Sequence, residues 1–161
     1  ISLPEMPVMI LLGAFFGPNI KNIILVLSLF SWVRPARIVR SKILSLKKEK
    51  YIIASKSYGA KFIHLTKVHF IKEVYPIISI SMIKIMSKSV VAEAGLSFLG
   101  LGDPTNKSWG IILNHALNFK GIYFTNYWKW WILFPVVFLV SLVLSMAYIS
   151  NDLEKIFQMK L

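Results

Sequence analysis

The sequence predicts an all-α, polytopic membrane protein: about three complete transmembrane helices, part of another, and a basic loop on the cytoplasmic side. Three observations predict it. Hydrophobic residues make up 56% of the 161 and mean hydropathy is +0.64, above the balance of a soluble chain. The formal net charge is nevertheless +12, which coexists with that hydropathy only because the two are segregated along the chain. Arg34, Arg37, Arg40, Lys42, Lys47, Lys48, Lys50, Lys56, Lys61, Lys67 and Lys72 all fall between Trp32 and Pro76, against only Glu49 and Glu73. Cationic segments beside apolar spans mark the cytoplasmic side of a membrane protein.

Taken in order, Leu3 to Phe16 reads as the tail of a hydrophobic element in a chain whose beginning is missing. It lacks the basic flank and small-residue cleavage site of a signal peptide. Gly17, Pro18 and Asn19 make a turn and a helix start, with asparagine a good N-cap. Ile20 to Val33 is apolar but, at 14 residues or about 21 Å, too short to cross a hydrocarbon core of about 30 Å. Continuation to Arg40 supplies the length, since arginines near a helix end snorkel to the headgroups, and Pro35 is expected to kink it.

The basic loop, residues 34–73, contains a helical period from Tyr51 to Val68. Tyr51, Ala54, Ser55, Tyr58, Phe62 and Leu65 share one face, and Gly59 with Ala60 interrupts it. The expectation is two short helices meeting at a glycine. Residue types alone leave two partners open for that face, anionic lipid or a docking protein.

Pro76 to Leu99 is long enough to cross, yet carries Lys84, Lys88 and Glu93. With a helix start near Tyr75, Lys84 falls about 14 Å in, close to the bilayer centre, where a charge must face water or protein. The alternatives are a polar lining to a transport path and a shifted boundary that puts the lysines near an interface. Gly95, Ser97, Gly100 and Gly102 allow close helix packing, and the span is expected to end at Asp103 and Pro104. Residues 103–127 form the external connection. Trp109, Tyr123, Tyr127, Trp128, Trp130 and Trp131, in and just after it, supply an interfacial aromatic belt. Ile132 to Ile149 is an uncharged span with Pro135 near its start, and Ser150 to Leu161 is a short polar tail on the cytoplasmic side.

Chemistry-bearing constellations are sparse. Zero cysteines exclude a disulfide framework, a Cys-based zinc site and a Cys nucleophile. His64, His69 and His115 are scattered, so neither a metal site nor a catalytic site is expected. No GxxxxGK[ST] loop occurs, and a pI near 10 without a nucleic-acid-binding motif does not point to nucleic acid.

The runs LLGAFFGPNIKNIILVLSLFSWVRPARIVRSKILSLKKEKYIIASKSYGA, VHF and AEAGLSFLGLGDPTNKSWG resemble the inner-membrane permease subunits of binding-protein-dependent ABC transporters, in the dipeptide, oligopeptide and nickel branch. The last run is the most specific, and the likeness covers nearly the whole chain as a single permease domain. It implies that the first two to three membrane helices of a usual subunit are lacking. It also implies an importer of peptides or nickel with a second permease subunit, two ATP-binding subunits that use ATP and magnesium, and an extracytoplasmic solute-binding protein. No cofactor falls to this chain.

By the same resemblance, the basic loop is the coupling helix that docks on an ATPase, through Ala54, Ser55, Tyr58, Gly59, Ala60, Phe62 and His69. The family's Glu-Ala-Ala falls on Ile53, Ala54 and Ser55, and its leucine-proline on Ile71 and Lys72. Lys84, Lys88, Glu93, Gly95, Ser97, Gly100 and Gly102 are expected along the translocation path and its helix packing. The competing expectation is a truncated, transport-incompetent relic, a membrane-inserted interaction protein, which Ile53, Lys72 and the span lysines favour.

Overall fold

The computed structural model describes residues 5–158; Ile1 to Pro4 at one end, and Met159 to Leu161 at the other, lie outside it. Among the described residues eight α-helices follow in chain order: α1 (Glu5–Phe16), α2 (Ile20–Ser31), α3 (Val33–Leu46), α4 (Lys50–Ser57), α5 (Phe62–Leu65), α6 (Ile71–Phe98), α7 (Trp109–Asn118) and α8 (Phe134–Gln158). Wider π-helical turns at Thr66–Phe70 and Lys129–Leu133 lead into α6 and α8. Among the described residues there is no strand.

Among the described residues three windings are long and apolar enough to cross a membrane: Ile20–Leu46, Phe62–Phe98 and Lys129–Phe157, with the shorter apolar α1 beside them. The chain is therefore an all-α polytopic membrane protein. In the apolar 18-residue window of each, only 6–11% is buried inside the chain, which leaves most of that surface for lipid or other protein. Lipid tails are as apolar as leucine, so hydrophobic transfer does not drive these helices together; close packing and polar contacts must.

Asn19 caps α2 as its residue type suggests, its side chain accepting from the Lys21 amide at 2.9 Å. The Asn22 amide donates to the Phe16 and Gly17 carbonyls at 2.7 and 3.2 Å, tying off the end of α1. The break in the first span sits at Trp32, between α2 and α3, three residues before Pro35. The reason is steric: a proline ring clashes with the carbonyl four residues earlier, here Ser31, so the distortion appears one turn upstream.

Three boundaries differ from expectation. The helix that carries the second span begins at Phe62 rather than near Tyr75, because it runs through α5 and the π-helical turn into α6 without interruption. It ends at Phe98 rather than at Asp103 and Pro104. The residues after Ser150 are not a separate tail: α8 continues through them to Gln158, while Lys160 lies outside the described residues.

Two small cores sit apart in the chain. Met9, Ile23, Val26 and Leu96 join α1, α2 and α6, with Leu101 packed against them. Leu46, Ile52, Leu65 and Phe70 join α3, α4, α5 and the turn before α6. The second explains the face of the basic segment: Leu65 turns inward with Ile52, and so does not belong to the outer stripe of Tyr58 and Phe62.

Candidate functional sites in the basic segment and along α6

In the basic segment, α4 ends in a Schellman motif. The Ala60 amide bonds the Ser55 carbonyl at 3.1 Å, the Gly59 amide bonds that of Lys56 at 2.9 Å, and Gly59 takes a φ of +85°. Glycine enters that left-handed region without a Cβ penalty. The reversal turns α4 into α5 and leaves Ile53, Ala54, Tyr58, Phe62 and Ile63 exposed, Tyr58 at 91%. Ser55 and Ala60 are half-buried beside them. His69 is not on that surface; its ring lies 5.4 Å from that of Tyr51. Burial pushes the Tyr51 phenol above its ordinary pKa, with help from Glu73 and Glu49. A Lys42–Glu73 ion pair at 3.1 Å clamps α3 to the start of α6. Lys72, where the resemblance expects proline, lies inside the unbroken helix.

Along α6 the charges are paired across helices. Lys84 bonds Glu154 of α8, and Lys88 bonds Glu5 of α1. The other oxygen of Glu5 lies 3.3 Å from Arg34 of α3. Lys84 therefore faces protein, as a charge on a membrane-spanning helix must. An unpaired charge at mid-membrane costs at least about 2.5–3.5 kcal/mol, so each carboxylate offsets a penalty its lysine would otherwise carry. Glu93 does not pair with Lys88; it accepts from the buried Ser97 hydroxyl at 2.6 Å.

A cavity of about 410 Å³ lies between α1, α6 and α8, and Glu5, Lys84, Ser87, Lys88, Ser150 and Asn151 are its polar lining. The Ser150 hydroxyl is buried there without a hydrogen-bond partner among the described residues.

Of the small residues, Gly102 and Ser97 are the close pair: a Cβ on Gly102 would sit 2.5 Å from the Ser97 Oγ. Gly95 has only an ordinary contact with Met6, so it does not serve close packing as expected. Gly100 serves conformation instead, at φ +84° in a second Schellman motif whose Leu101 amide bonds the Leu96 carbonyl at 3.0 Å. The tightest approach was not among the expected residues. A Cβ on Gly110 would lie 2.2 Å from the Ala94 carbonyl oxygen, which places α7 directly on α6. The helix itself was signalled by Ser108, whose hydroxyl caps it by accepting from the Ile111 amide at 3.3 Å.

At the other end of the spans, Asp103 folds its loop by accepting from the Thr105 hydroxyl and amide at 2.6 and 2.9 Å. These bonds, the Thr105 hydroxyl foremost, hold its carboxyl below the usual range. Trp130 stacks on Phe134, Trp109 stacks on Phe138, and Tyr123 and Phe124 are exposed. Among the described residues no three His, Asp or Glu side chains converge as metal ligands.

Comparison with known proteins adds to this geometry. A family model described as "Binding-protein-dependent transport system inner membrane component" matches residues 1–158. The chain is 34% identical over 154 residues to the dipeptide transport system permease protein DppC of Bacillus subtilis (strain 168), a match covering 94% of this chain and 46% of that protein. It is 33% identical over 155 residues to the oligopeptide transport system permease protein OppC of Salmonella typhimurium, covering 95% of this chain and 49% of the relative. The chain thus spans about half the length of the curated relatives it matches.

Proposed function

This chain belongs to the family of binding-protein-dependent transport system inner membrane components, and on that premise we propose that it forms part of the permease of an ATP-driven importer of peptides. The peptide class is taken from the names of its dipeptide and oligopeptide relatives. Its partners are a second permease subunit, two ATP-binding subunits that hydrolyse ATP with magnesium, and an extracytoplasmic solute-binding protein. The basic loop, residues 34–73, and the C-terminal end face the cytoplasm, as the positive-inside rule requires.

The observation that carries the coupling reading is the unbroken winding from α5 into α6. The exposed face of Ala54, Ser55, Tyr58, Gly59, Ala60 and Phe62 docks on an ATPase subunit. Closure of the ATPase pair pushes that face, and α6 transmits the push as a rigid body to Lys84, about 33 Å from Phe62. Motion of α6 against α1 and α8 then opens and closes the polar cavity on the path. Lys84 and Lys88 supply its charged wall; at the far end Ser97 and Gly102 set the close packing, Glu93 holds the Ser97 hydroxyl and Gly100 makes the turn, while Gly95 has no packing role. His69 acts from behind, by positioning Tyr51. No covalent chemistry occurs on this chain.

The test is co-purification of the full-length protein from its native membranes in mild detergent. Wild type is expected to bring down ATP-binding subunits, Tyr58→Asp with Phe62→Asp to lose them, and Gly59→Asn to keep them, because asparagine tolerates the left-handed conformation. Absence of ATP-binding subunits with wild type would overturn the reading.

A further inference from the structure

A second crevice, of about 310 Å³, lies on the other side of α6, between it and the α2–α3 winding. Arg34, Lys84 and Lys88 border it with the hydroxyls of Ser31 and Ser81, and none of its lining residues is acidic. Phe30, Ile38 and Ile85 make apolar walls. The three cations are incompletely neutralised. Glu5 is shared between Lys88 and Arg34, and Glu154 serves Lys84, so among the described residues two carboxylates face three positive groups. Their side chains remain 46–73% exposed, although all three stand on windings that cross the membrane. Each ammonium also keeps N–H groups beyond the one its carboxylate takes, and the guanidinium keeps most of its five.

We infer that this crevice holds the headgroup of an anionic phospholipid, with the phosphate among Arg34, Lys84 and Lys88 and the acyl chains along Phe30 and Ile38. Cations against apolar walls at the basic end of a helix bundle match an amphiphile, polar at one end and apolar along its length. A free inorganic anion would leave those walls unused. Lipid phosphate also neutralises the positive charge that the two carboxylates leave over. Arg37 and Arg40 continue the positive surface along α3 toward the headgroups. The inference needs only the membrane placement, so it stands or falls apart from the transport reading.

Native mass spectrometry of the full-length protein, exchanged into detergent with equal amounts of dioleoylphosphatidylglycerol and dioleoylphosphatidylcholine, tests it. Wild type is expected to retain phosphatidylglycerol selectively. Arg34→Gln, Lys84→Gln and Lys88→Gln are each expected to lower that retention about fivefold, since a cation near a lipid surface contributes about that factor. Lys84→Arg and the distant Lys56→Gln should retain it as wild type does. Ser81→Ala leaves every charge in place and should also lower retention, which separates lost binding from lost folding. Equal retention of the two lipids, or retention indifferent to all the crevice variants, would overturn the inference. Displacement of phosphatidylglycerol by an added dipeptide, but not by its C-terminal amide, would assign the crevice to a solute carboxylate and overturn it as well.

Discussion

Single residues decide how closely these helices approach. Gly110 has no room for a side chain against the Ala94 carbonyl, so Gly110→Ala must push α7 off α6. The expected loss is about 1–3 kcal/mol, read as a lower melting temperature in detergent, and Gly95→Ala, which meets only Met6 at 3.8 Å, should melt as wild type. Asp103 gives a pH signature. Its carboxyl is held below the ordinary range, so its contribution is fully present above the unfolded pKa of about 3.9 and is lost as pH falls through the lower folded value. Amide hydrogen exchange at Thr105 should therefore quicken as pH drops below that range, relative to the intrinsic rate. Asp103→Asn should exchange faster at neutral pH and respond less to acid. Asp103 and Gly102 announce themselves in the sequence as turn residues. The charge pairs do not: Lys84 and Glu154 are 70 residues apart, and Lys88 and Glu5 are 83 apart. Nothing local to α6 says which carboxylate will arrive.

Among the elements, α4 and α5 were readable as two short helices around a glycine, because glycine at a C′ position is a local signal. Which face they show was only half readable. Helical period groups Leu65 with Tyr58 and Phe62, but the reversal at Gly59 restarts the helix in a new direction and sends Leu65 inward. Gly59→Arg must carry a side chain at φ +85°, so it should destabilise the loop by about 1–2 kcal/mol besides any docking defect. Gly59→Asn should restore most of that, as a melting series would show. The α6–α8 clasp can be tested as a unit. Lys84→Met alone strands Glu154 and is expected to cost about 1–3 kcal/mol, whereas Lys84→Met with Glu154→Leu should cost less, because neither charge is left unpaired. Equal losses in the single and double variants would show that the pair contributes nothing in the membrane. Helix α7 went unforeseen because ten residues inside an aromatic connection carry little periodic signal, although Ser108 marked its start.

At the scale of the whole molecule, the 161 residues contain no cysteine, so single introduced cysteines report topology directly. Lys56→Cys is expected to react with a membrane-impermeant maleimide only from the cytoplasmic side of sealed vesicles, and Tyr123→Cys only from the opposite side. Labelling of both from one side would contradict the three-span arrangement. The segregation of charge from apolar residues, the three spans, the glycine bend and the family likeness were all determined by the sequence. They depend on composition, helical period and short motifs, which a linear chain carries in full. Only the tertiary structure decided the longer reach of α6, the pairing of Lys84 with Glu154, the two polar recesses flanking α6 and the contact of Gly110. In a bilayer, hydrophobicity keeps helices in the membrane but does not choose their neighbours. That choice rests on small-residue contacts and ion pairs between distant segments, which exist only once the helices have met.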